Sequence, residues 1–344
     1  MSVNRQWILS DAPVERMPVP ENFVLNEAPV PVPGPGQALV RTVYISLDPY
    51  QWGYKVRGLE KPGDLIHART VVKVIESNTD AFKVGDFVHC TNGWQEYGLI
   101  GEGIPDHPYM KTRVIDPALG PVSTALGVLG MNGLTAYAGL FVQCRPQPGE
   151  TVVVSAATGG VGQIVGQIAR VHGCRAVGIV STEEKMRVAR EEFGYDAVVS
   201  HLSDTLDADL EAVCPEGVDV YYENVGGKSF DATARLFNQK ARMVICGLIG
   251  ERPGGSSAKG KEALLARSAD LRAAREVEVA ELSVGNFVDS HFDEFLERMS
   301  EWYRAGKVVY REDIRPGIER APEYYADMMA GGNLGKTLVK VSDE

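Results

Sequence analysis

The stretch VVVSAATGGVGQIVGQIARVHG, Val152 to Gly173, leaves the chain few ways to fold. VVVSA reads as a buried strand and ATGGVG as a tight turn, while QIVGQIARVHG carries apolar residues at helical spacing. A strand that feeds a helix in this way needs a second, parallel strand beyond it. RAVGIVS supplies that strand, and the amphipathic EKMRVAREEFG follows, stopping at Gly194. DAVVSH, GVDVYYENVG and ARMVICGLIG continue the alternation, which predicts a doubly wound parallel sheet of the α/β class.

The first 130 residues have another character. QALVRTVYISLD, RTVVKVIES and FKVGDFVHC are short β-type runs separated by turn residues, and PVPVPGPGQ is too rich in Pro and Gly for a helix. A mainly β domain with irregular loops is expected there, and at 344 residues two domains are the natural count. The stretch 254–275 lacks strand signals and reads as a mobile loop leading into a helix. HFDEFLERMSEWYRAGK then has a clear helical period, and GGNLGKTLVKV closes the chain as a strand. The boundaries expected are 1–130 with 305–344 for the β domain, and 131–304 for the parallel-sheet domain.

Net charge is −11, and no Lys/Arg-rich block is present, which argues against nucleic-acid or anionic-membrane partners. No run approaches the length of a membrane span, and the N-terminal residues lack a secretory pattern. Five well-separated cysteines suit reduced thiols. A soluble protein of the cytoplasm is expected.

A glycine turn between strand and helix is built for a dinucleotide. Gly159 lets the backbone approach a pyrophosphate, Gly162 lets the helix pack against the sheet, and the helix N-terminus favours the anion. Ala157 stands at the first glycine position of that pattern, which is tolerable where φ stays negative. NAD binders place Asp or Glu at the end of the second strand. This chain has Ser181 and Thr182 there, with Lys185 in reach of a 2′-phosphate. Glu183 and Glu184 either turn toward the adenosine ribose or favour the positive start of the next helix, and NADPH is expected.

With these residues placed, the chain resembles the medium-chain dehydrogenase/reductase superfamily. Within it, the chain is similar to the zinc-independent branch of leukotriene/prostaglandin reductases, alkenal double-bond reductases and curcumin reductases. ISLDPYQWG, GWQEY, GMNGLTAYAGL, SAATGGVGQIVGQIA, VDVYYENVGG, ICGLIG, WYRAGKVVYREDI and GGNLGKTLVKV carry the resemblance in family order. It implies a GroES-like β domain, a Rossmann-type cofactor domain and a homodimer. It also implies a cofactor site made of Gly159, Gly160, Val161, Gly162, Lys185 and Asn224 with the loop Cys246, Gly247, Leu248, Ile249, Gly250. Leu282, Ser283 and Val284 match the backbone stretch that binds the nicotinamide amide, and Asn333 matches an asparagine reaching the cofactor from the other domain. Turn chemistry is the alternative for Asn224 and Asn333.

His201 falls where many relatives carry a tyrosine near the adenine. Relatives also carry a tyrosine shortly after CG.I, whereas this chain continues with Glu251 and Arg252. Gln51 and Trp52 replace the usual MR of the DPY segment. The position that holds a zinc-ligating cysteine in zinc enzymes of the superfamily falls in ISLDPY. Catalytic zinc needs about three protein ligands, and His67, His89 and His107 offer no spacing for them, so no metal is expected.

The implied chemistry is metal-free reduction of a carbon–carbon double bond in an enal or enone, with hydride passing to the β-carbon. The developing enolate needs donors: a ribose hydroxyl of the cofactor, Tyr50, or Arg252. Tyr50 is either such a donor or an aromatic wall of the substrate pocket, and Trp52 is wall or core. Carbonyl or quinone reduction on the same scaffold is the alternative. A low-turnover NADPH-binding redox sensor is the third reading.

Overall fold

The structure is a computed structural model, and it describes residues 3–12, 16–107, 110–251 and 257–344. The chain forms two compact units. One takes in the chain up to Gly130 together with Glu312–Glu344, and the other runs from Met131 to Arg311.

The first unit starts with an antiparallel pair, β1 (Val3–Leu9) and β2 (Phe23–Pro29). The long β3 (Gln37–Ser46) follows, then the short helix α1 (Tyr50–Val56) and β4 (Thr70–Ser77), β5 (Phe87–Cys90), β6 (Tyr97–Gly101) and β7 (Arg113–Val114). β3 can serve as the spine because it buries both faces, with Val40, Val43 and Ile45 wholly inaccessible. α1 was not foreseen: YQWGYKV is short and rich in aromatic residues, and tertiary packing of Trp52 and Gln51 holds it.

The second unit opens with α2 (Met131–Tyr137), which widens into a π-helix over Ala138–Cys144. The cause is local. The Tyr222 hydroxyl donates to Thr135 O at 2.7 Å and so enters the helical ladder. Gly139 makes the approach possible, because a Cβ there would meet the Tyr222 ring and hydroxyl within 2.6–2.9 Å. The alternation then runs β8 (Thr151–Ser155), α3 (Gly162–Val171), β9 (Arg175–Val180), α4 (Glu183–Glu191), β10 (Ala197–Ser200), α5 (Leu206–Val213), β11 (Val218–Glu223), α6 (Gly227–Ala234) and β12 (Phe237–Ile245).

Two helices, α7 (Ser257–Arg267) and α8 (Ala269–Arg275), occupy most of the stretch expected as a loop. Ala and Leu favour helix there, and Ser268 breaks it by turning its hydroxyl onto Leu264 O. β13 (Glu278–Glu281) then adds an edge strand that the glutamates at both its ends concealed. The helix α9 (Val288–Arg304) completes the unit.

The six strands are parallel in the order β10-β9-β8-β11-β12-β13, the doubly wound arrangement expected. Val153, Val177, Tyr221, Phe230, Phe237 and Met243 belong to the core around it.

Residues 309–311 stay with this unit. Gln163 and Gln167 of α3 each exchange two hydrogen bonds, 2.8–3.1 Å long, with the backbone of Arg311 and Val309. The chain then returns to the first unit through β14 (Glu312–Pro316), α10 (Ala321–Met329) and β15 (Lys336–Lys340). β15 pairs with β3, giving a sheet ordered β14-β15-β3-β4-β5-β7, with β6 beside β3.

Candidate active site

In the second unit the candidate cofactor residues gather at the carboxyl ends of the parallel strands. The sheet order reverses between β8 and β11, and an open α/β sheet binds ligands at that crevice. Ser155 and Glu223 end the two strands, and the Ser155 hydroxyl donates to Glu223 Oε1 at 2.7 Å. The same carboxylate oxygen accepts from the N–H groups of Val225 and Gly226 at 2.6 and 2.9 Å. Asn224 N–H donates to the Ser155 hydroxyl, and its side-chain amide donates to Ser155 O at 2.8 Å. A wholly buried carboxylate thus fixes the course of the ENVGG turn.

The glycine loop follows β8. Its left-handed residue is Ala156, with φ of 50°, one place before the position where the sequence pattern has its first glycine. Ala157 is fully buried, and its methyl fills the space above Gly178, where an added Cβ would come within 2.8 Å. Gly162 has no such latitude: a Cβ there would lie 2.2 Å from Ala156 O. Gly166 is equally constrained by the Tyr195 ring, whose hydroxyl donates to Gly162 O at 2.7 Å. These glycines bring the start of α3 close to the sheet, where the N–H groups of Gln163 and Ile164 bond to Gly159 O and Val161 O.

Thr182 caps α4 by accepting from the N–H of Lys185, which puts that lysine in the first turn. His201 follows β10, with its N–H on Val180 O. Burial lowers the His201 pKa, and the positive charges of Lys185 and Lys228 lower it further. Lys185, in the first turn of α4, and Lys228, in the first turn of α6, thus both act electrostatically on His201. Lys228 was missed in the sequence, although it directly follows the ENVGG motif. Cys246 follows β12, and burial pushes its thiol up to about 12, so it is a neutral group rather than a nucleophile. Gly247 bonds back to Glu223 O, and Ile249 and Gly250 bond to the carbonyls of Asn224 and Val225. Leu282, Ser283 and Val284 follow β13, with Leu282 N–H on Ile245 O. Arg252 lies outside the described residues.

The first unit builds a separate cluster around the DPY segment. Asp48 is buried and ion-paired with Arg69 at 2.7 Å and Lys336 at 2.8 Å. Burial opposes its charge, but Arg69 and Lys336, with bonds from Lys336 and Ser46, hold its pKa below the usual carboxylate range. DPY and the terminal NLGK are thus two parts of one buried charge network. Gln51 braces it, accepting from Asp48 N–H and donating to the carbonyls of Ser46 and His67.

Tyr50 is half-buried. Its hydroxyl lies 3.0 Å from His67 Nε2, and the Arg69 guanidinium stands 5.3 Å from its ring centroid. Burial raises its pKa further above neutrality, so it is a protonated phenol at pH 7. Trp52, expected as wall or core beside the substrate, is core. It is 0% exposed, its indole N–H bonds to Arg16 O at 3.1 Å, and it packs with Leu9, Trp94 and Tyr325. It has no open face for a substrate. Asn333 donates its amide to Gly335 O at 2.8 Å, holding the turn before β15.

Comparison with known proteins places this architecture. Two family models match, one described as the N-terminal domain of oxidoreductase over residues 5–103 and one as zinc-binding dehydrogenase over 160–301. The NADPH-dependent curcumin reductase of Escherichia coli strain K12 is 39% identical, over 99% of this chain and 98% of that protein. The chain belongs to the medium-chain dehydrogenase/reductase family. Its place there is the branch of curcumin and alkenal reductases: the NADP-dependent 2-alkenal reductase of Nicotiana tabacum is 35% identical over 90% of the chain and 89% of that protein. The crystal structure of CurA from Vibrio vulnificus with NADPH matches with a TM-score of 0.85 and 34% identity, over 99% of this chain and 100% of that one. One of the two family models carries a zinc-binding name. Among the described residues of this family member, no group of three His, Cys, Asp or Glu could hold a metal ion.

Proposed function

We propose that the chain is an NADPH-dependent reductase of the carbon–carbon double bond in α,β-unsaturated aldehydes and ketones. The observation that carries this reading is near-full-length identity of 39% to a curcumin reductase, in a chain where the charges of Lys185 and Lys228 both act on His201. No Asp or Glu ends β9 to repel a 2′-phosphate, and the two lysines favour one.

When bound, the cofactor supplies a hydride to the substrate β-carbon. Gly159, Gly160, Val161 and Gly162 hold its pyrophosphate in this reading. Asn224, Cys246–Gly250 and Leu282–Val284 bound the crevice, and Asn333 serves as a further contact. Negative charge develops on the carbonyl oxygen as the β-carbon is reduced. Tyr50 is the proposed donor to that oxygen and the source of the proton that ends on the α-carbon. Arg252 is a second candidate donor by its charge. Assembly as a homodimer and residence in the cytoplasm belong to the same reading, and no described helix is long and apolar enough to cross a membrane.

The test follows NADPH and NADH oxidation against a panel of enals, enones, quinones and saturated ketones, with product identification. A saturated carbonyl product and a preference for NADPH are expected. An alcohol or hydroquinone as the main product would replace this reading with carbonyl or quinone reduction, and NADPH binding without turnover would make the chain a sensor.

A further inference from the structure

His67 has no part in the chemistry above, yet the fold anchors it from several sides. Its N–H donates to Glu60 Oε1 at 3.2 Å, and its carbonyl accepts from Gln51 Nε2 at 3.0 Å. Its ring stacks on Tyr54 at 5.7 Å and lies 4.7 Å from the ring of His107. The remaining edge presents Nε2 to the Tyr50 hydroxyl at 3.0 Å. Both imidazoles and both phenols are half-buried, so the cluster reaches solvent.

The charge state suits proton transfer. Burial lowers the His67 pKa to about 3, helped by His107, Lys55 and Arg69 against the pull of Asp48. At neutral pH the ring is therefore uncharged, with one N–H and one lone pair. Such a ring passes a proton by exchanging tautomers, without ever carrying a net charge.

We propose that His67 is a positioning residue that acts through Tyr50, resupplying the proton that Tyr50 delivers to the substrate. The proposal rests on Tyr50 being the donor in the reading above. In the step, the Tyr50 O–H bond breaks as a C–H bond forms at the substrate α-carbon. The phenolate oxygen takes the Nε2 proton of His67, and Nδ1 takes a proton from solvent. Loss of the Nδ1 proton to solvent and uptake of one at Nε2 then restore the starting tautomer. Each turnover thus moves one solvent proton to the substrate, matching the one hydride delivered to the β-carbon. The Arg69 guanidinium over the Tyr50 ring lowers the cost of the transient phenolate.

The experiment uses His67→Ala and His67→Gln in the full chain, with NADPH and a simple enone. His67→Ala is expected to slow turnover about tenfold or more. NADPH affinity should hold, and added free imidazole should restore the rate with increasing dose. His67→Gln can still hold the Tyr50 hydroxyl but cannot exchange tautomers, so it should stay slow and gain nothing from imidazole. A wild-type rate in either variant, or a slow His67→Ala that binds NADPH yet ignores imidazole, would overturn the proposal. If His67→Ala does not fold, the rate of His67→Gln decides alone. Tyr50→Phe separates the two layers. If it turns over like wild type, Tyr50 is no donor, whereas a slow Tyr50→Phe beside a fast His67→Gln removes only the role of His67.

Discussion

The strand-end crevice of the second unit and the Tyr50 cluster of the first are built by different means. The crevice is shaped by backbone: glycines that admit no side chain, a left-handed Ala156, and one buried carboxylate that accepts from Ser155, Val225 and Gly226. The Tyr50 cluster is shaped by side chains remote in sequence, and Asp48 and Lys336 are 288 residues apart. A cofactor shared by many relatives needs a fixed cradle, which sterics supply. In the proposed reading an acceptor needs placed donors, and the buried charges of the first unit would place Tyr50 for it.

Removing a charge from the first unit should give the largest effect. Asp48→Ala leaves Arg69 and Lys336 buried without their partner, and a buried pair broken on one side costs about 3–5 kcal/mol. Urea unfolding measures it. A loss below about 1 kcal/mol would mean that water reaches the network and screens it.

The crevice should answer to volume instead. Gly162→Ala drives a methyl into Ala156 O, and such overpacking costs about 1–3 kcal/mol. It should also weaken NADPH binding as the loop shifts. Gly159→Ala is the internal control, since its Cβ would lie 3.2 Å from the same oxygen and needs only a slight adjustment. Thermal unfolding of the free protein compares the two, and equal losses of stability would contradict the steric account.

Charge enters the crevice at its rim. Lys185→Ala and Lys228→Ala should each weaken NADPH by about 1–2 kcal/mol, roughly tenfold, and leave NADH nearly unchanged. Isothermal titration with both cofactors checks this. Equal losses for NADH would assign the lysines to the fold rather than to a phosphate.

The smallest effect is one of pH. His67 stays neutral in the fold down to about 3, while in the unfolded chain it protonates near 6.5. Between those values the unfolded chain binds more protons, so this contribution weakens as pH falls. Burial raises the pKa of Glu223 and Glu312, and those groups act in the opposite sense, so the useful quantity is a difference. The melting temperature of wild type relative to His67→Gln should fall by a few degrees between pH 7 and pH 5. A constant difference would show that His67 already protonates in the fold.

Local signals made the parallel sheet legible. β8 to β11 and the end of β12 are short, mostly apolar runs, and the helices between them carry their own periodicity and stops. β13 escaped because EVAE has little apolar content, and its strand character comes from pairing with β12. The helices over 257–275 were hidden by a Gly/Ser-rich lead that suggested a loop. The glycine loop could be read because its chemistry lies within a dozen residues. The Asp48–Arg69–Lys336 network and the Tyr50–His67 contact could not, since no spacing rule links positions that only the folded sheet brings together. Trp52 shows the same limit, because its burial depends on Arg16 and Trp94.

The central claim is hydride delivery to the β-carbon of an enone, and NADPH carrying deuterium at the transferred position tests it most directly. With a simple enone, the account predicts a saturated ketone bearing deuterium on the β-carbon only. Deuterium on the carbinol carbon of an allylic alcohol would contradict it.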